Sequence, residues 1–168
     1  MNRTAIQAIS RLAGLLFGGL FAGFLTGVLI LELSLRRFDG AVYTQLQQVA
    51  LIGLPILASV LLFPALIATA VQVFLGARSR GSTFWLTVGA LTLLLAALVT
   101  TLVVNVPINL AEGGWNVQSP PEDWASVRDR WQLGQLIRTC AALFAFAALA
   151  VAVVRQPMHL RSSLHASD

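Results

Sequence analysis

Residues 12–31 read LAGLLFGGLFAGFLTGVLIL, an apolar stretch with no charge in it. At 1.5 Å per helical residue such a block is about 30 Å long, the thickness of a bilayer's hydrocarbon core. The apolar part of a cleavable signal is about 7–15 residues, shorter than this one. The next residues, ELSLRR at 32–37, offer no small-residue cleavage site. The block is therefore an uncleaved first span, about 12–35.

Working outward, residues 40–77 are also uncharged. They open with the polar run YTQLQQ and are too short for two spans and a turn. One long helix is expected, apolar over about 49–75, with Pro55 and Pro64 as sites where it can kink. The uncharged block 81–111 gives a third span, about 83–110, and 131–154 gives a fourth, interrupted only by Arg138. Backbone groups in lipid must be satisfied internally, so spans are helices or closed barrels. Barrel strands alternate polar and apolar residues, and LTLLLAAL at 91–98 does not. The expected fold is all-α, a polytopic membrane protein with a four-helix transmembrane bundle over 1–155. A short polar tail comes after it at 156–168, in which Pro157 blocks helix continuation.

Composition excludes most alternatives. Hydrophobic residues make up 57 % of the 168 and charged residues 11 %, where an ordinary soluble domain carries roughly 25 %. Mean hydropathy is +0.80. All 11 basic residues are arginine and the net charge is +4. In a soluble domain that balance would point to nucleic acid. Here the arginines flank apolar segments in ones and twos, as topology markers and partners for anionic lipid headgroups, so no nucleic-acid partner is expected. Cys140 is the single cysteine, and His159 and His165 both lie in the tail. That leaves no intrachain disulfide and too few ligands for a metal or haem, so neither metal nor cofactor is expected.

Four spans put both termini on one side. That side holds Arg3, Arg11, Arg78, Arg80, Arg155 and Arg161, against Arg36, Arg37, Arg128 and Arg130 on the other. The bias places both termini in the cytoplasm of a cell-membrane protein. The opposite face then carries the longest loop, 112–130, with Glu112, Glu122, Asp123 and Asp129.

Polar residues in or near the spans are the candidates for function. Gly19, Gly23 and Gly27 share one helix face and suit packing inside the bundle or against a second copy. Glu32 can pair with Arg36 one turn on. Arg138 lies about 10 Å along its helix from Trp131 and should face the bundle interior or snorkel outward. Arg128, Trp131, Gln135 and Arg138 fall on one helix face. Asn105 and Asn109 flank Pro107, which frees a carbonyl near residue 103. Gln47 and Gln48 open the second span at the same depth. Glu32, Gln47, Gln48, Asn105, Asn109, Gln135 and Arg138 thus share one depth and outline a polar pocket among four helix ends, or else a closed hydrogen-bond network.

Three stretches carry a resemblance: GGLFAGFLTGVLILELSLRR at 18–37, YTQLQQ at 43–48 followed by a membrane proline, and NVPIN at 105–109 with RWQLGQLIR at 130–138. In this order they resemble the small four-span anthrone-oxygenase-like membrane proteins, a domain family largely of unknown function. The family pattern at the last two looks like N-x-P-x-N and R-W-x-x-x-H-x-x-R, and its histidine is Gln135 here. Glutamine hydrogen-bonds but cannot transfer a proton. The resemblance implies an oxygenase that turns an anthrone into a quinone without metal or flavin. Arg138, Asn105 and Asn109, with Gln135 at the histidine position, would then serve the chemistry. Trp131, Glu32, Gln47, Gln48 and Arg130 would hold a small aromatic or lipidic molecule. The partners expected are membrane lipid, such a ligand, and a second copy or another membrane protein. The competing expectation is a non-catalytic accessory or scaffold subunit packing through the glycines of the first helix.

Overall fold

The computed structural model describes residues 2–78 and 80–155. The tail expected at 156–168, with His159 and His165, lies outside the described residues. The described residues form five α-helices: α1 (Arg3–Ser34), α2 (Gly40–Gly76), α3 (Ser82–Thr100), α4 (Val106–Glu112) and α5 (Trp124–Val154). A π-helical turn, Thr101–Asn105, fuses α3 and α4 into a single span, Ser82–Glu112. Four helices are thus long and apolar enough to cross a membrane, and the fold is an all-α bundle.

Local chemistry sets the breaks. Asp39 ends the first connection by accepting the Val42 N–H at 3.0 Å, capping α2. Pro55 and Pro64 sit inside α2 without ending it. Pro107 has no N–H, and its ring would crowd the carbonyl one turn back. The π turn directly before it widens the helix there.

The bundle is held by small residues. Ala141, Ala142 and Ala145 of α5 and Ala90 and Ala97 of α3 are buried with Phe21, Leu25, Leu94 and Leu149. Lipid gives apolar helices no solvent-driven reason to associate, so close backbone approach between small residues supplies the contact. On α1 the buried small residues are Gly14, Gly18 and Ala22. The other glycine stripe behaves differently. A Cβ on Gly19 would meet the Phe146 ring at 3.0 Å, whereas Gly23 and Gly27 face open space. This stripe is therefore not one packing face within the bundle, because the helix turns its Gly14–Gly18–Ala22 side inward instead.

Two further glycines fix the functional end. A Cβ on Gly40 would fall 2.9 Å from the Trp124 indole, and one on Gly134 would fall 2.9 Å from Val104 Cγ1 and 3.0 Å from Asn105 Oδ1. Both let α5 press against a neighbour that any side chain would push away.

Candidate functional site

One end of the bundle gathers the C-terminal end of α1, the start of α2, α4 and the start of α5. A cavity of ≈ 180 Å³ lies between the spans there. Its walls are apolar: Phe21, Phe24 and Val28 from α1, Leu54, Pro55, Ala58 and Leu62 from α2, Leu98 and Leu102 from the third span. Its polar lining comes from Glu32, Gln47, Ser59, Thr101, Asn109, Trp131 and Arg138.

Arg138 is the centre of that lining. Its Nε donates to Gln135 Oε1 at 2.6 Å and its Nη1 to Thr101 Oγ1 at 3.3 Å. Its guanidinium lies over the Trp131 ring, 5.5 Å from the centroid, a favourable stack of cation on ring face. Gln135 is fully buried and does not line the cavity. Its Nε2 donates to the Leu25 carbonyl at 2.8 Å, which ties α5 to α1 and aims the amide oxygen at Arg138. Thr139 repeats the tie to Leu25 O at 3.4 Å.

The asparagines hold the tryptophan. Trp131 Nε1 donates to Asn109 Oδ1 at 2.6 Å, and Asn105 Nδ2 donates to the Trp131 carbonyl at 3.2 Å. Asn105 is buried behind the wall, and its Oδ1 has no partner. Asn109 lines the cavity, with its side-chain oxygen taken by the indole.

Glu32 is buried at 3 % exposure, and its Oε2 has no hydrogen-bond partner. The expected pair with Arg36 does not form. Arg36 turns to α5, donating to Gln132 Oε1 at 2.6 Å and meeting Asp129 at 3.1 Å, while Gln132 Nε2 donates to the Glu32 carbonyl at 2.8 Å. Arg36 is thus drawn into a surface network, and the Glu32 carboxylate is left to the cavity.

Glu112, expected in a loop, is instead the last residue of α4 and fully buried. Tyr43 Oη donates to its Oε1 at 2.6 Å, and Gln47 Nε2 reaches Tyr43 Oη at 3.0 Å and Glu112 Oε2 at 3.4 Å. Gln47 also lines the cavity, so it stands between the two buried carboxylates. Gln48 points away from the cavity and closes the loop, donating to the carbonyls of Glu112 at 3.2 Å and Trp115 at 2.8 Å. Arg130 is exposed and lies in a separate groove with Pro107 and Trp115. That groove and the cavity lined by Arg138 have no lining residue in common. Arg128 leaves the expected stripe as well, lying 5.0 Å over Trp124 and 3.0 Å from Asp129.

Sequence reasoning missed Glu112, Tyr43, Thr101 and Thr139. Glu112 had a readable signal: Asn105, Asn109 and Glu112 are spaced four and three, one face of a helix that simply continues. Tyr43 and Gln47 are likewise one turn apart.

A family model described as anthrone oxygenase matches residues 48–148. No curated protein and no solved structure matches the chain. The matched stretch contains Gln48, Asn105, Asn109, Glu112, Trp131, Gln135 and Arg138, and stops short of Glu32 and Tyr43.

Proposed function

The chain belongs to the anthrone oxygenase family, and from that premise we propose that this integral membrane protein binds a flat aromatic molecule in the cavity between its spans and oxygenates it. One observation carries the reading. An apolar chamber carries Arg138, Trp131 and Asn109 in its lining together with a buried carboxylate, Glu32, that has one unpartnered oxygen. Ligand sites are chambers of this kind, apolar with a few convergent polar groups.

The chemistry is set by the substrate class. An anthrone carries an acidic methylene opposite its ketone. Glu32 takes one methylene proton, and the electron pair delocalises onto the ketone oxygen. Arg138 and the Asn109 amide stabilise that oxyanion, and Trp131 stacks on the rings. The electron-rich anion adds dioxygen at the former methylene carbon, and the peroxide so formed takes back the proton held by Glu32. Loss of water then leaves a second carbonyl, so anthrone and dioxygen give quinone and water. The proton step belongs to Glu32 because Gln135 is a positioning residue that fixes Arg138 and does not reach the chamber.

Location is part of the proposal. The protein sits in the cell membrane with both termini cytoplasmic, and the chamber opens toward the outer leaflet. The exposed Gly23 and Gly27 support a second reading, an accessory subunit that packs on another helix there.

The test is oxygen uptake by detergent-purified protein with an anthrone, corrected for spontaneous oxidation, beside Arg138→Ala and Glu32→Gln. Uptake above background that falls in both folded variants supports the oxygenase. No uptake from folded wild type overturns it for that substrate and favours the accessory reading.

A further inference from the structure

At the opposite end of the bundle the start of α1, the end of α2 and the start of α3 enclose a second cavity, of ≈ 280 Å³. Its lining is polar: Arg3, Arg11 and Arg78, with Gln7, Gln72, Thr83 and Thr87. Two separate segments supply the arginines, the first turns of α1 and the residues just past α2, so the fold, and not one basic run, brings them together. Arg3 Nη2 rests 3.4 Å from the Leu75 carbonyl, and Gln72 Nε2 donates to the Ser10 carbonyl at 2.9 Å, which pins α2 to α1 beneath them.

No carboxylate among the described residues balances these cations. The described acidic residues are Glu32, Asp39, Glu112, Glu122, Asp123 and Asp129, all at or beyond the other end. Both ion pairs among the described residues lie there too. The first turns of α1 and α3 contain no acidic residue, and neither helix has a side-chain cap. The N-terminal N–H groups of α1 and α3 and the C-terminal carbonyls of α2 and α5 meet at this end with opposite potentials, so the net positive charge there is that of the arginines.

We propose that this cavity is a phosphate-binding site at the membrane surface, with Arg3, Arg11 and Arg78 as its cationic ligands and Gln7 and Thr83 as neutral hydrogen-bond donors. The phosphate is that of an anionic lipid headgroup or of a soluble phosphate compound. Guanidinium suits either, since it offers paired donors to phosphate oxygens. Basic pockets between spans are where anionic headgroups dock.

Native mass spectrometry of the full-length, detergent-purified protein tests it. Dioleoylphosphatidylglycerol is titrated in one arm and inorganic phosphate in the other, with dioleoylphosphatidylcholine as the zwitterionic comparison. Wild type should hold one phosphatidylglycerol or one phosphate, and Arg11→Gln/Arg78→Gln should weaken that binding roughly tenfold or more. Arg80→Gln and Arg155→Gln, at the same end but outside the cavity, should bind as wild type does. Saturation by phosphatidylglycerol alone identifies a lipid site, and competition by inorganic phosphate identifies a soluble one. Equal loss in Arg80→Gln and Arg155→Gln would reduce the effect to a diffuse surface field and overturn the site. So would equal retention of phosphatidylcholine, or no binding in either arm. Circular dichroism of each variant separates lost binding from lost fold.

Discussion

The two ends of the bundle are built on opposite principles. At one, the Glu112 carboxylate, several amides and hydroxyls and the Arg138 guanidinium are tied into hydrogen bonds across the helices. At the other, arginines from two segments face a cavity with no acid among the described residues. The first arrangement satisfies most of its polar groups internally, and the few atoms left over face or back a chamber. The second leaves its charge for something outside the chain. On the two proposals made above, the polar network within the bundle serves fold and chemistry together, whereas the uncompensated patch serves association.

The sharpest way to break this comparison is at Arg138. Arg138→Ala should reduce oxygen uptake about hundredfold or more, the usual scale for removing an oxyanion donor. It also strands Gln135 Oε1, so Gln135→Leu/Arg138→Leu should be more stable than Arg138→Leu alone in detergent thermal unfolding. Next comes Glu112. Glu112→Leu removes the acceptor of the buried Tyr43 hydroxyl and should cost about 1–3 kcal/mol, while Glu112→Gln should recover most of it. Gly134→Ala should cost about 1–3 kcal/mol by forcing α5 off Val104 and Asn105, read in the same melts. The smallest effect belongs to the other end. Arg155→Gln should change stability by less than about 0.5 kcal/mol and leave oxygen uptake unchanged. A larger loss of stability there would mean that the arginine end carries folding energy after all, and the contrast would fail.

The fold was legible because its signals are long. Uncharged blocks at 12–31, 40–77 and 81–111 have no alternative in lipid. The cavity was legible only in part. Shared depth put Glu32, Gln47, Gln48, Asn105, Asn109, Gln135 and Arg138 together, and of these Glu32, Gln47, Asn109 and Arg138 line the cavity. Shared depth does not say which way a helix is rotated. Gln48, Asn105 and Gln135 do not line it, and spend their hydrogen bonds on backbone carbonyls instead. The glycines teach the same lesson: spacing by four occurs on two sides of α1, and only the neighbours decide that Gly14 and Gly18 turn inward. Glu112 was misplaced because a charge before Gly113-Gly114 reads as the end of a span. What buries it is a hydroxyl 69 positions earlier, a match visible only once the helices are side by side.

The π turn at Thr101–Asn105 sets the register of the residues that follow it in the third span. A π turn holds one residue more than the α-helical turn it replaces. Each residue of an α-helix rotates the next by about 100°. Everything after the turn is thus out of phase with everything before it. Thr101 touches Arg138 from the early phase, and Asn105, Asn109 and Glu112 are delivered by the later one. Deleting a single residue between 101 and 105 would remove the bulge and leave those three in their present phase, whereas straightening the turn with all its residues kept would swing them by about 100° away from their partners. The polar half of the chamber thus depends on the extra residue being taken up within the turn.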